Sequence, residues 1–194
     1  MLNKRKYIIC AILGVVFSLA ITGGIVKNKE QALQREIAQE VLRFHVLANS
    51  DSIEDQTEKM RVKEKVLSYM KEELSGTESL EETRGWAKSH LREIEEVAES
   101  SYSVRAEVTT CQFPEKTYGD ITFPAGTYEA LRIEIGEAKG QNWWCVLYPN
   151  LCFVDAIHAV VPEEGKEELK EVLDEEAYEK VTSKTIFKIR WFFF

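Results

Sequence analysis

Tyr102-Ser-Val-Arg-Ala-Glu-Val108 is where the chain changes its period. Tyr102, Val104, Ala106 and Val108 alternate with polar neighbours, the pattern of a half-buried strand. Upstream, apolar residues recur every three to four positions. Leu33, Ile37 and Val41 mark one face of a first helix, and Met60, Val66, Leu67, Met70 and Leu74 mark a second. Ser52 is placed to cap that second helix, with Asp55 near its positive end. Ser79 and Glu82 form a capping box for a third helix, whose inward stripe is Leu80, Ala87, Leu91, Ile94 and Ala98. Arg43-Phe-His-Val-Leu-Ala48 reads either as a continuation of the first helix or as a strand.

Downstream the composition shifts. Residues 27–113 contain no proline, whereas all four prolines (114, 124, 149, 162) come later. Pro124-Ala125-Gly126 is a turn before a strand in which Leu131, Ile133 and Ile135 point one way. Asn142-Trp143-Trp144-Cys145-Val146-Leu147 is apolar on both faces and is expected in the middle of the sheet. A charged helix is expected after Pro162, with Leu169, Val172 and Leu173 inward, and Thr185 to Phe194 reads as a last strand. Helices and strands are thus segregated, which predicts an α+β domain of helices packed on a mainly antiparallel sheet.

The chain opens differently. Lys4-Arg5-Lys6 precedes a charge-free run of 20 residues, 7–26, about the length that spans a bilayer as a helix. The basic cluster should stay in the cytosol and send the remainder across. Ser18-Leu19-Ala20 fits a cleavage site and Gly23-Gly24 weakens a permanent helix, so residues 1–28 are either a signal peptide or a membrane anchor. Residues 29–194 then form a single extracytoplasmic domain. All 33 acidic residues lie after position 26 against 22 basic ones, a net of −11, which repels phosphate backbones and argues against nucleic acid.

Export bears on the four cysteines. Cys10 lies in the apolar run and Cys111 stands alone. Cys145 and Cys152 flank a turn-containing loop, and in an oxidising compartment they form either a disulfide worth about 2–3 kcal/mol or a pair of buried thiols. Cys145, Asp155 and His158 could make a thiol nucleophile with base and orienting acid, but no local motif supports it. Asn49, Asp51, Glu54 and Asp55 lack the glycine and spacing of a calcium loop and read as helix capping. His45 and His90 have no second ligand at metal spacing, and no phosphate-binding or dinucleotide motif is present, so neither metal nor cofactor is implied. Trp143 and Trp144 project to opposite faces of a strand, and each either fills the core or anchors a partner.

Three stretches, Arg43-Phe-His-Val-Leu-Ala-Asn-Ser-Asp-Ser52, Phe113-Pro-Glu-Lys-Thr-Tyr-Gly-Asp-Ile-Thr-Phe-Pro-Ala-Gly-Thr-Tyr-Glu-Ala-Leu-Arg132 and Gly140-Gln-Asn-Trp-Trp-Cys-Val-Leu-Tyr-Pro-Asn-Leu-Cys-Phe153, resemble the stage II sporulation protein R family in order and spacing. The resemblance implies a signal made in the forespore of an endospore-forming bacterium and exported between the two membranes. There it would trigger a membrane-embedded aspartic protease of the mother cell, which removes the pro-sequence of a sigma factor. The resemblance implies no catalytic residues. The partner-binding surface is expected around Arg43, His45, Asn49, Asp51, Asn142, Trp143 and Trp144. The competing classes are an exported thiol-dependent hydrolase and a passive envelope-binding module. The aromatic ending Trp191-Phe-Phe-Phe194 and Tyr148-Pro-Asn150 depart from the family pattern.

Overall fold

A computed structural model describes residues 2–74, 79–152, 161 and 163–183. The expected last strand, Thr185 to Phe194, lies outside the described residues, as do Asp155 and His158. The first element is one continuous helix, α1 (Leu2–Gln39), 38 residues and about 57 Å long. Its Lys6–Gln39 portion is long and apolar enough to cross a membrane, and the most apolar window of it touches no other part of the protein. The last turns of α1 behave differently. Ile37 is wholly buried, Gln34 Nε2 donates to Thr127 O at 3.1 Å, and Lys29 pairs with Glu176 at 2.8 Å. The helix therefore enters the domain within a turn of its apolar run.

β1 (Leu42–Leu47) follows, which resolves the ambiguity at Arg43–Ala48 in favour of a strand. Then come α2 (Ile53–Glu73), α3 (Leu80–Ser89), α4 (Leu91–Ala98) and β2 (Val104–Phe113). A small hairpin, β3 (Lys116–Tyr118) with β4 (Ile121–Phe123), precedes β5 (Gly126–Ile135), β6 (Asn142–Tyr148), α5 (Glu163–Val172) and α6 (Glu175–Thr182). The main sheet runs β2-β5-β1-β6. β2–β5 and β1–β6 are antiparallel, as expected for an α+β domain, but the central pair β1–β5 is parallel. A parallel pair needs a crossover, and α2, α3, α4 and β2 supply it.

β6 lies at the end of the sheet among the described residues, not in the middle as its apolar sequence suggested. β1 holds the central place, buried along its whole length. The apolar character of β6 has a different source: both of its faces are covered, one by each hydrophobic cluster. At the opposite edge, the Ala106 N–H of β2 donates to Glu95 Oε1 of α4 at 2.8 Å, which caps part of the open ladder.

The caps form as read: Ser52 Oγ accepts from Asp55 N, and Ser79 Oγ from Glu82 N. Two helix details differ. Met60 is 39% exposed, whereas Val66 and Met70 face inward as expected and Val62 joins them. The expected third helix is two, α3 and α4, meeting at His90. There Ser89 Oγ donates to the carbonyls of Gly85 and Trp86, competing with the helical ladder.

One sheet face carries Leu42, Phe44, Val46, Leu131, Ile133, Ile135 and Cys145 against Val62, Val66, Met70, Ala87 and Ile94 of the helices. The other face carries Phe113, Tyr128, Ala130 and Val146 against Ile37 of α1, the β3–β4 hairpin, α5 and α6.

Candidate functional site

Strand alternation sends Arg43 and His45 of β1 to this second face, opposite Phe44 and Val46. Arg43 is completely buried. Its guanidinium carbon lies 4.4 Å from the centre of the Phe113 ring, 5.0 Å from those of Phe123 and Tyr128, and 5.7 Å from that of Tyr118. Nε donates to Cys145 O at 3.0 Å and Nη2 to the Tyr118 hydroxyl at 2.9 Å, while Nη1 has no partner among the described residues. The cation is thus held chiefly by ring faces, each worth up to about 2 kcal/mol in a dry site. Burial drives the Tyr118 phenol up, against the pull of Arg43.

His45 lies two residues along on the same face. Its ring stacks on Trp144 of β6 with centroids 3.7 Å apart and planes 14° from parallel, and Phe113 closes a second side at 5.7 Å. Cys111 Sγ is 3.9 Å from Nδ1, and Asn142 approaches the ring from β6, while Nε2 makes no hydrogen bond of good geometry among the described residues. Burial first, and Arg132 second, lower the His45 pKa to about 4, so the ring is neutral at physiological pH. Strand register places Glu107, Arg132, His45 and Trp144 in one row across the four strands. Arg132 contacts Glu107 at 3.6 Å and Glu134 at 2.5 Å.

Past β1 the chain turns into a latch. Asn49 Oδ1 accepts from Glu137 N at 2.9 Å, and its Nδ2 donates to Asp55 Oδ2 at 2.8 Å. Asp51 Oδ1 accepts from Gln141 N at 2.7 Å, and Gly140 N donates to Ala48 O at 2.9 Å. A side chain at Gly140 would put Cβ 2.1 Å from Ser50 O, so the approach of the two loops requires glycine. Hydrogen bonds from Ser50 and Asn49, in that order, hold the Asp55 carboxyl below its usual range. Of the residues that resembled a calcium loop, Asn49, Asp51 and Asp55 are engaged with loop amides and side-chain donors, and Glu54 points to solvent on the first turn of α2.

The two tryptophans divide as alternation requires. Trp143 faces the helices, edge-on to Phe44 at 5.6 Å with Lys63 Nζ 5.4 Å from its ring centre. Trp144 faces the Arg43 side. Both are half-buried. Arg43 and His45 lie inside the domain, so what they contribute passes through the fold. Asp51 and Asn142 are exposed, and Asn49 is half-buried in the latch.

The three signature stretches, far apart in sequence, converge here. The first gives Arg43 and His45, the second all four rings around Arg43 together with Arg132, and the third gives Trp144 and the Cys145 carbonyl. The ring cage was not anticipated from sequence, although its residues, Phe113, Tyr118, Phe123 and Tyr128, were all within the quoted second stretch. Ile53, 81% exposed beside the latch, was also missed.

Fold and site define a class: an α+β domain held by a rigid, polar-cored sheet and carried on an apolar N-terminal helix that it does not cover. The family model of stage II sporulation protein R matches residues 38–158, beginning as α1 ends. The chain is also 33% identical to Stage II sporulation protein R of Bacillus subtilis (strain 168), over 94% of this chain and 83% of that protein. No solved structure matches. The chain belongs to the stage II sporulation protein R family, and its role is in sporulation.

Proposed function

We propose that this protein is an exported sporulation signal, without catalysis of its own, that activates a membrane-embedded aspartic protease of the mother cell and so causes processing of a pro-sigma factor. The observation that carries the reading is the uncovered apolar helix running without a break into a folded domain of a sporulation family. Such a helix is compatible with an export signal or anchor, which supports export of the domain into the space between forespore and mother-cell membranes. A protein ligand switches an enzyme by binding its active state more tightly than its inactive one, and a rigid surface provides that difference.

The surface we favour is what the signature stretches leave outside: Asp51, Ile53 and Asn142 around the latch, with the half-buried Trp144 behind them. Ile53, 81% exposed, offers apolar area to a partner, and Trp144 is of the residue type most enriched among interface anchors. The test is co-expression of the full chain with the protease and its pro-protein. Cleavage should require this chain and its N-terminal helix, and Ile53→Asp should abolish cleavage while circular dichroism shows an unchanged fold. Cleavage that proceeds without the chain, or no cleavage with it, would overturn the reading.

A further inference from the structure

Cys145 and Cys152 approach each other through a local fold-back of the chain. After β6 the backbone turns at Pro149 and Asn150, and Leu151 N donates to Val146 O at 3.2 Å. That bond closes a turn that returns Cys152 to the side of Cys145, where the two thiols are hydrogen-bonded to one another. The side chains agree. Both sulfurs converge on one atom, with Cys145 Sγ 3.7 Å and Cys152 Sγ 2.9 Å from Val146 O. Both also pack in the cluster beneath α2 and α4. Cys111 is across the sheet, in the other cluster and beside His45, and Cys10 is in the apolar helix. Among the described cysteines the pairing therefore has one geometric solution.

We infer that Cys145 and Cys152, free thiols in this structure, are a disulfide site that closes in an oxidising compartment and pins the end of β6 to the chain leading into α5. The reaction is thiol–disulfide exchange with a small-molecule or protein disulfide as oxidant. The thiolate of one cysteine attacks the oxidant, releasing one thiol of it, and the second cysteine then displaces the other. The Cys145–Cys152 bond forms, the oxidant is reduced to two thiols, and no further electron acceptor is needed. Burial, then the neighbouring Cys145 thiol hydrogen-bonded to it, raises Cys152 well above the ordinary thiol range. The closed dithiol is consequently a poor nucleophile, and exchange takes place before this segment packs down.

The inference rests on the exported location for its setting, but its chemistry is tested without it. The full chain is refolded in detergent with oxidised glutathione, denatured without reductant, alkylated, and mapped by mass spectrometry. The expected result is one unlabelled peptide with residues 145 and 152 bridged, with Cys10 and Cys111 labelled. The folded dithiol, prepared under reductant, should oxidise at least tenfold more slowly than the same chain in urea. Labelling of both Cys145 and Cys152, or a bridge from either to Cys111, would overturn the inference. Failure of the protease co-expression test would bear only on the signalling reading, since the refolding experiment involves neither export nor partner.

Discussion

The two faces of the central sheet are built on opposite plans. Beneath α2, α3 and α4, β1 contributes Leu42, Phe44 and Val46 to a cluster of aliphatic and aromatic side chains. On the reverse face the same strand contributes a guanidinium and an imidazole, both buried. An ordinary face of this size gains stability by removing apolar surface from water, at about 25 cal/mol per Å². The second face first loses the hydration of Arg43 and then recovers part of it through four rings, a carbonyl and a phenol. The first face can be filled by many residue combinations of the same volume. The second accepts few, because a buried guanidinium and imidazole need the rings, the Cys145 carbonyl and the Tyr118 hydroxyl placed around them. That restriction explains why the three signature stretches meet on the second face.

The sharpest way to break this contrast is to truncate one residue on each face. Phe44→Ala removes a fully buried ring from the apolar side and should lower stability by about 3–5 kcal/mol in urea unfolding of the full chain in micelles. Arg43→Ala should be comparable, since it also strands the Tyr118 hydroxyl and opens a cavity. Arg43→Met keeps most of the volume and discards the buried charge but leaves the Tyr118 hydroxyl and the Cys145 carbonyl without their donor, so it should cost about 1–2 kcal/mol, less than Arg43→Ala because no cavity opens. An Arg43→Met loss as large as that of Phe44→Ala would show that the ring cage more than compensates for desolvation, and the two faces would then be energetically alike.

The faces should also part under acid. His45 titrates near 6.5 when unfolded and about 4 in the fold, so between those values the unfolded chain binds more protons. Stability therefore rises with pH across that window, and falls as pH drops from 6.5 to 4. Discounted for partial solvent access, the loss is about 2 kcal/mol. The carboxylate of Glu58, held down to about 2 chiefly by the hydrogen bond from Arg61, keeps its contribution above its ordinary value of 4.5 and loses it only as pH falls from 4.5 toward 2, a lower window. His45→Gln should flatten the unfolding free energy between pH 4.5 and 6.5. An unchanged slope in that variant would place the acid sensitivity elsewhere.

The apolar face was the more legible of the two in the sequence. Its helix stripes and the alternation at Leu131, Ile133 and Ile135 recur at fixed periods, and Ser52 and Ser79 announced their helices correctly. What periodicity missed has physical reasons. Met60 is in phase with Leu67 and Leu74, which are only half-buried, whereas the buried stripe of α2 runs through Lys59, Val62, Val66 and Met70. The break at His90 depends on hydroxyl and imidazole bonds to carbonyls, which no hydrophobic pattern encodes. β6 looked central because a strand covered on both faces has the same composition wherever it lies in a sheet. The Arg43 cage is hidden for a further reason. An arginine among apolar residues suggests a surface or a partner, and only the fold brings Phe113, Tyr118, Phe123 and Tyr128, 70 or more positions along the chain, around it.

The smallest expected effects belong to the latch that joins the signature stretches at the end of the sheet. Gly140→Ala forces Cβ against Ser50 O, and the two loops must part, at a cost of roughly 1–2 kcal/mol. Asn49→Ala removes the acceptor for Glu137 N and one donor to Asp55, and should cost about 1 kcal/mol because water can reach both groups. Neither change touches Ile53 or Asn142 directly, yet both would shift the loop that presents them. If the latch only holds the fold, signalling in the protease assay should follow stability and recover at lower temperature. If it also shapes the docking surface, Asn49→Ala should signal less than another variant of equal stability, such as Ser79→Ala at the distant α3 cap. Equal signalling by the two at matched stability would confine the latch to the fold and move the docking surface away from this end of the sheet.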